Sequence, residues 1–329
     1  MNRDAIQKRC VLFSVFSLKV IPIPLYRRTT MSYRAPLILF ASHSILFVAD
    51  HLLNKRDETH TFARITEPLT IIFVLFLLSW FRASIIKPIP STKFPKHNDP
   101  IVQQYLARKK SNSQMPRFCK TCKIYKPDRA HHCYILNSCV LIMDHYSPYI
   151  LNSVGHHNIK MFLLFRFYSI LHTLGICITF VQTLLSSNSN YLNTLTVVSV
   201  IIFSFAVCSF HVYIFWMSSV WNFSGYTTIE ACENHLSRDP SFHGLWKDGS
   251  LYDHGFLRNV QYLLGKWPWL WLLPIGSANN GNGFLPVPNE KGKALLLQAC
   301  KPNKEPNGSL SVQATCKQIA IEKLKSKKE

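Results

Sequence analysis

Apolar residues gather into four long runs, and polar residues fill the stretches between them. Residues 35–53 (APLILFASHSILFVADHLL) and 66–86 (TEPLTIIFVLFLLSWFRASII) each approach the roughly twenty residues a helix needs to cross a bilayer. Two further runs, 161–185 and about 194–221, are separated by the uncharged loop 186–193. The pattern predicts an α-helical polytopic membrane protein with four transmembrane helices and a polar domain between helices 2 and 3. His43 and Asp50 interrupt the first run; they read as side chains facing neighbouring helices, with Asp50 near the interface, and not as a proton pathway. Glu67 and Pro68 open the second run, where a first helical turn tolerates both.

The hydrophobic share of 48% and the charged share of 16% fit a membrane protein. A formal net charge of +20 suits either nucleic acid or anionic lipid, so the placement of Lys and Arg decides. They flank the apolar runs, which favours membrane lipid as partner and no nucleic acid. The loop 54–64 nearly balances its charges, whereas the N-terminus, residues 87–158 and the tail are strongly basic. By the positive-inside rule both termini and the 87–158 segment are cytosolic. Ten cysteines, four of them in one basic loop and others such as Cys177 and Cys208 in apolar runs, fit a reducing compartment better than a disulfide scaffold.

The domain order that follows is a basic cytosolic N-terminus (1–34), helices 1 and 2 (35–86), a cytosolic cysteine-rich domain (87–158) and helices 3 and 4 (159–221). A cytosolic tail with an interfacial segment (222–276) and a flexible basic tail (277–329) complete it. Val11 to Leu18 resembles the apolar core of a signal peptide but is short and lacks a cleavage site. Trp267 to Ile275 is too short to span and rich in Trp, as interfacial segments are. A short helix is expected near residues 311–328.

Within 87–158, Cys119 and Cys122 form a C-x2-C knuckle, followed by His132 and Cys139. Three thiolates and an imidazole make a closed zinc shell; the plainer reading is a set of small residues packed in a reduced loop. Thr227-Thr228-Ile229-Glu230, just beyond the fourth run, is by itself a helix-start signature.

Lys126-Pro127-Asp128-Arg129, His132-Cys133, Val140, Met143-Asp144-His145, Pro148, Asn152, Val154-Gly155 and Asn158 stand in an order and spacing that resembles the cysteine-rich domain of the DHHC family, the membrane-embedded protein S-palmitoyltransferases. Thr227-Thr228-Ile229-Glu230 resembles that family's Thr-Thr-x-Glu, and Arg258-Asn259-Val260 its Asn-containing tail segment. The resemblance implies transfer of a fatty acyl group from acyl-CoA to an enzyme cysteine and then to cysteines of cytosolic protein substrates, at an endomembrane such as the Golgi or endoplasmic reticulum. It also implies Asp144 as orienter and His145 as base. The nucleophile position, however, holds Ser147: the four signature letters appear here as Asp-His-Tyr-Ser.

Family members bind two zinc ions, and the second shell would fall on Cys133, Leu136, Tyr146 and Ser153, of which only Cys133 is still a ligand. One zinc ion is therefore expected, with Leu136, Tyr146 and Tyr149 filling the vacated site. An oxygen ester on Ser147 has lower transfer potential than the thioester it comes from, so onward transfer to a thiol runs uphill. The expected function is that of a palmitoyltransferase relative with weak or no transferase activity. The alternatives are an active acyltransferase using Ser147 or Cys133, and a non-catalytic membrane binding or regulatory protein.

Overall fold

The computed structural model describes residues 34–54, 60–96, 98–105, 116–186, 191–236, 250–276 and 283–299. The Val11 to Leu18 segment and the helix expected near 311–328 lie outside the described residues. Four long helices are present: α1 (Arg34–Asn54), α2 (His60–Ile85), α3 (Ile159–Ser186) and α4 (Tyr191–Phe223). Among the described residues, three apolar stretches are long enough to cross a membrane: Pro68–Ile85, Ile159–Leu185 and Thr194–Phe223. In α1 the apolar stretch is shorter, Arg34–Ala49. Pro68 falls inside α2, not in its first turn, because the helix begins at His60. The proline removes one backbone donor there, and the apolar stretch starts at it.

Several hydroxyl groups within these helices turn back to their own backbone. Ser79 Oγ donates to Leu75 O (2.7 Å), Ser84 Oγ to Trp80 O (2.9 Å) and Thr173 Oγ1 to Ser169 O (2.8 Å), which keeps them satisfied without water. Helix α3 is central: it packs along both α2 and α4, whereas α1 touches the bundle more sparsely. Phe76, Phe162 and Phe165 are fully buried at the α2–α3 seam. Gly175 permits the close approach, since a Cβ there would overlap Leu69.

The polar domain is a stack of three antiparallel hairpins: β1 (Phe118–Cys119) with β2 (Ile124–Tyr125), β3 (His131–Cys133) with β4 (Ser138–Val140), and β5 (His145–Ser147) with β6 (Asn152–Val154). The hairpins repeat at a spacing of fourteen residues. Pairs Cys119↔Ile124, Cys133↔Ser138 and Ser147↔Asn152 are equivalent, as are Phe118↔Tyr125, His132↔Cys139 and Tyr146↔Ser153. Each turn carries a left-handed residue at the same place: Lys123 (φ 54°), Asn137 (φ 49°) and Leu151 (φ 50°). This conformation is uncommon for a non-glycine residue, and its recurrence marks one turn built three times.

Two asparagines fasten this domain to the end of α2. Asn152 Nδ2 lies 3.1 Å from Ala83 O and 2.8 Å from Ile86 O, and Asn158 Nδ2 lies 2.9 Å from Ala83 O. They thereby satisfy carbonyls that a helix C-terminus leaves without an intrahelical partner. Trp80 Nε1 adds a bond to Tyr149 O at 3.0 Å.

Beyond α4 come α5 (Thr228–Leu236), α6 (Phe256–Leu264) and α7 (Glu290–Ala299). The Trp267 to Ile275 segment is pinned under α3 by Lys160 Nζ, which donates to Leu270 O (2.8 Å) and Ile275 O (3.0 Å), while Trp269 stays 68% exposed. Residues 283–299 depart from the flexible tail expected of 277–329: Phe284 packs edge-on against Phe94, and Asn289 bonds Ser250 and Asp253 carbonyls. A buried ring and an asparagine that closes a loop supply the order that composition conceals.

Asn152→Ala should lower unfolding free energy by about 2–4 kcal/mol, because Ser84 O (3.3 Å) and Ile86 O lose their side-chain donor, whereas Ala83 O keeps Asn158. Asn152→Asp should be worse, since a carboxylate can only accept. Thermal unfolding in detergent ranks the three proteins; equal stability would contradict the capping role.

Candidate functional site

The first ligand set comes from two hairpins. Cys119 ends β1 and Cys122 lies in the turn before β2, and His132 and Cys139 face each other across β3 and β4. Their ligand atoms lie within 4.8 Å of one another. His132 Nδ1 is 3.6 Å from Cys119 Sγ, 3.3 Å from Cys122 Sγ and 3.9 Å from Cys139 Sγ. A tetrahedral zinc ion with bonds of about 2.3 Å to sulfur and 2.0 Å to nitrogen separates such atoms by about 3.5 Å, so these residues fit the ion. Burial pushes the Cys139 thiol up, and the neighbouring sulfurs of Cys119 and Cys122 add to this. A divalent cation is what allows such close sulfurs to be thiolates together.

The fourteen-residue repeat carries that set onto Cys133, Leu136, Tyr146 and Ser153, the positions that the family resemblance assigns to a second ion. These positions lie in or beside apolar packing: Cys133, Val140, Met143, Tyr146 and Ile229 form one buried cluster with Leu136 against it. Tyr149 does not join them, contrary to expectation. Its ring sits 5.0 Å from the Arg166 guanidinium and 5.7 Å from Phe210, because the third turn directs it toward the helix bundle. Burial pushes the Cys133 thiol up.

Strand β5 presents His145 and Ser147 on one face, two residues apart. Asp144 Oδ2 accepts from His145 Nδ1 at 2.6 Å. The same carboxylate accepts from Thr228 N and Thr228 Oγ1, both at 2.8 Å. Full burial alone raises the Asp144 pKa, but the bonds from His145 and Thr228 overcome this and hold the carboxyl below the usual range. With Nδ1–H committed to Asp144, the basic lone pair of His145 is on Nε2. Ser147 is 1% exposed, and its Oγ has no hydrogen-bond partner. No hydrogen bond joins it to His145, so an Asp–His pair is made and a triad is not.

The Thr-Thr-x-Glu stretch is a capping box. Glu230 N donates to Thr227 Oγ1 (3.2 Å), and Thr227 N donates to Glu230 Oε2 (2.8 Å). Arg129 grips the same carboxylate through Nε (2.9 Å) and Nη2 (2.7 Å), with its guanidinium 4.3 Å from the Tyr252 ring centroid. Burial works against the Arg129 charge, and Glu230 more than restores it, raising its pKa. Sequence reading singled out Thr227, Thr228 and Glu230 but missed Arg129 as their partner. Asn259 stands apart from this set: its side chain bonds Phe223 O (2.7 Å) and Asp253 Oδ1 (2.7 Å), tying α6 to the end of α4. A cavity of about 220 Å3 lined by Arg129, Asp144, Thr227, Tyr252 and Asn259 lies behind Asp144; Ser147 does not line it.

The family model of the DHHC palmitoyltransferases matches residues 112–235. The palmitoyltransferase ZDHHC15 of Xenopus laevis is 31% identical over 242 residues, which cover 65% of this chain and 68% of that protein. The rat palmitoyltransferase ZDHHC2 is 36% identical over 178 residues, 52% of this chain and 46% of its own length, and human ZDHHC20 is 34% identical over 176 residues, 51% and 46%. The chain thus spans about half the length of two of these relatives and two thirds of the third. It belongs to the DHHC palmitoyltransferase family.

Because the Asp144 carboxyl is held low, its contribution to stability is complete above the ordinary carboxylate value of about 3.9 and is lost as pH falls from there through the folded-state value. Asp144→Asn should lack that loss. Urea unfolding at about pH 6 and about pH 3 should show wild type falling toward the variant; parallel curves would contradict it.

Proposed function

We propose that this chain is a four-span membrane protein derived from protein S-acyltransferases, with its cysteine-rich domain and both termini in the cytosol, and that it has lost most or all transfer to thiols. The observation that carries this reading is Ser147: a buried hydroxyl without a hydrogen bond stands where the family reaction needs a thiolate next to His145. A thiol is readily activated by an imidazole, whereas a serine hydroxyl depends on a base in direct contact. Zinc held by Cys119, Cys122, His132 and Cys139 would be structural, a closed shell with no open position for a substrate. Acyl-CoA and cytosolic proteins remain the ligand classes, at an endomembrane, with the Trp267 to Ile275 segment at the interface.

The intact Asp144–His145 pair favours a second reading, in which Ser147 slowly hydrolyses acyl-CoA. Cys133 as substitute nucleophile is disfavoured, because it is packed with Tyr146 and Val140 and its thiol pKa is raised by burial.

Elemental analysis of protein purified in detergent should give close to one zinc per chain, and Cys119→Ala should lower both zinc content and protease resistance. Two ions per chain, or none, would overturn the assignment.

Labelling of cells with an alkynyl fatty acid, followed by hydroxylamine, separates thioester from oxygen ester. The unmodified protein should carry no hydroxylamine-labile label. Combining Leu136→Cys, Tyr146→His, Ser147→Cys and Ser153→Cys should rebuild the second shell with the thiol and produce self-acylation, whereas Ser147→Cys alone leaves the loop differently supported. Thioester label on the unmodified protein that disappears in Cys133→Ala would refute the inactive reading.

A further inference from the structure

Residues 284–288, Phe-Leu-Pro-Val-Pro, alternate strictly in burial: Phe284, Pro286 and Pro288 are buried, Leu285 is half-buried and Val287 is 57% exposed. A period of two belongs to an extended segment seated on a surface by every second side chain. Among the described residues no strand pairs with it, and its two prolines have no N–H to give to a ladder. The segment is held by side-chain slots instead.

Phe284 meets Phe94 edge-on at 5.2 Å and joins a buried cluster with Ala130 and Leu141. Gly283 leads into the segment with φ 72°, and a Cβ there would come within 2.8 Å of the His156 ring. His254 Nε2 donates to Val287 O at 2.9 Å. Asn289 ends the segment by donating from Nδ2 to Ser250 O (2.9 Å) and Asp253 O (3.0 Å). The middle fits least closely: Leu285, Pro286 and Val287 line the cavity of about 220 Å3 together with Tyr226, Tyr252 and Tyr262. Protein interiors leave few voids larger than a water molecule, so this occupant underfills its groove.

Aromatic walls, slots for a phenylalanine and for prolines at alternate positions, and one donor aimed at a backbone carbonyl are the chemistry that recognises extended proline-containing peptides. Such recognition reads side chains and a carbonyl, and it works equally on a segment of another chain.

We propose that the groove between Phe94, His156, Tyr252 and His254 is a docking site for a Phe-x-Pro-x-Pro segment of a cytosolic partner protein, and that residues 284–288 are its internal occupant, which the partner displaces. The site rests on the cytosolic placement of the hairpin domain and does not depend on chemistry at Ser147. Because the internal segment is tethered, it competes at an effective concentration on the order of millimolar.

The test uses full-length protein in nanodiscs and a fluorescent peptide of residues 283–290, read by anisotropy. Wild type should bind it weakly. Phe284→Ala and Asn289→Ala, which loosen the internal segment, should each bind it about tenfold more tightly, because the groove is then free for a larger share of the time. In the Asn289→Ala protein, a peptide carrying Phe284→Ala or one of reversed sequence should lose about tenfold, as should Phe94→Ala in the groove, whereas His254→Ala should lose several-fold, as expected for an aromatic anchor and for one neutral hydrogen bond. Folding is judged by gel filtration. Should both loosened variants fail to fold, a diazirine peptide of the same sequence, applied to wild type at a concentration on the order of millimolar, decides: crosslinks to residues 89–101 or 250–263 support the site, and their absence overturns it. Equal binding of the reversed peptide, unchanged affinity in the loosened variants, or indifference to Phe94→Ala would each overturn the proposal as well. Failure of the functional reading at Ser147 would show instead in the hydroxylamine experiment.

Discussion

The ion pair between Arg129 and Glu230 is the joint through which the hairpin domain and the helix bundle hold each other in place. Both partners are buried, and each has a second task. Glu230 closes the capping box that starts α5, and Arg129 Nη2 also bonds Gly225 O (3.0 Å) in the turn leaving α4. Removing one partner of such a pair leaves an uncompensated buried charge and costs about 3–5 kcal/mol. The consequences reach the site by a short path. The capping box sets the first turn of α5, that turn points Thr228 at Asp144, and Asp144 fixes the tautomer of His145. The start of α5 also favours a negative charge, which suits an ionised Asp144.

The hairpin repeat sets a ligand set and an apolar cluster at equivalent places in the fold. A metal ion and an apolar cluster solve the same problem, the crosslinking of successive hairpins. Hairpins one and two are joined by the Cys119, Cys122, His132 and Cys139 set; hairpins two and three are joined by Leu136 and Tyr146 packing on Cys133, Val140 and Met143. The exchange preserves the left-handed turn after each ligand position, as Asn137 shows by matching Lys123. The two solutions differ in what they fix at Ser147. A metal fixes ligand directions, whereas apolar packing fixes volume alone, so β5 keeps its pairing while Ser147 is left buried and unbonded.

Three membrane-length apolar runs and the C-x2-C knuckle were legible in the sequence because bilayer length and metal-ligand spacing are local properties; the first run, Arg34–Ala49, falls short of that length. Thr-Thr-Ile-Glu was legible as a helix start for the same reason. Arg129 was not, since its partner lies 101 residues away, and a Lys- and Arg-rich loop offers many candidates for one buried guanidinium. The fourteen-residue repeat was in principle readable from Cys119, Cys133 and Ser147, but a repeat of backbone turns shows in residue types only where glycine, asparagine or a ligand recurs. Lys123, Asn137 and Leu151 share a conformation and no chemistry. His43 read as a side chain facing neighbouring helices, which the bonds to His172 and His211 bear out in part. Pairing three single histidines from three separate apolar runs required the fold.

Tyr149 connects these two levels. It lies two residues after Ser147, yet its ring rests near Arg166, and Arg166 in turn covers Phe162, whose ring meets His145 edge-on at 5.1 Å. The loop carrying Ser147 is therefore braced by the buried cation of α3. Such bracing is tight for ring faces but indifferent to the rotamer of a small side chain at 147.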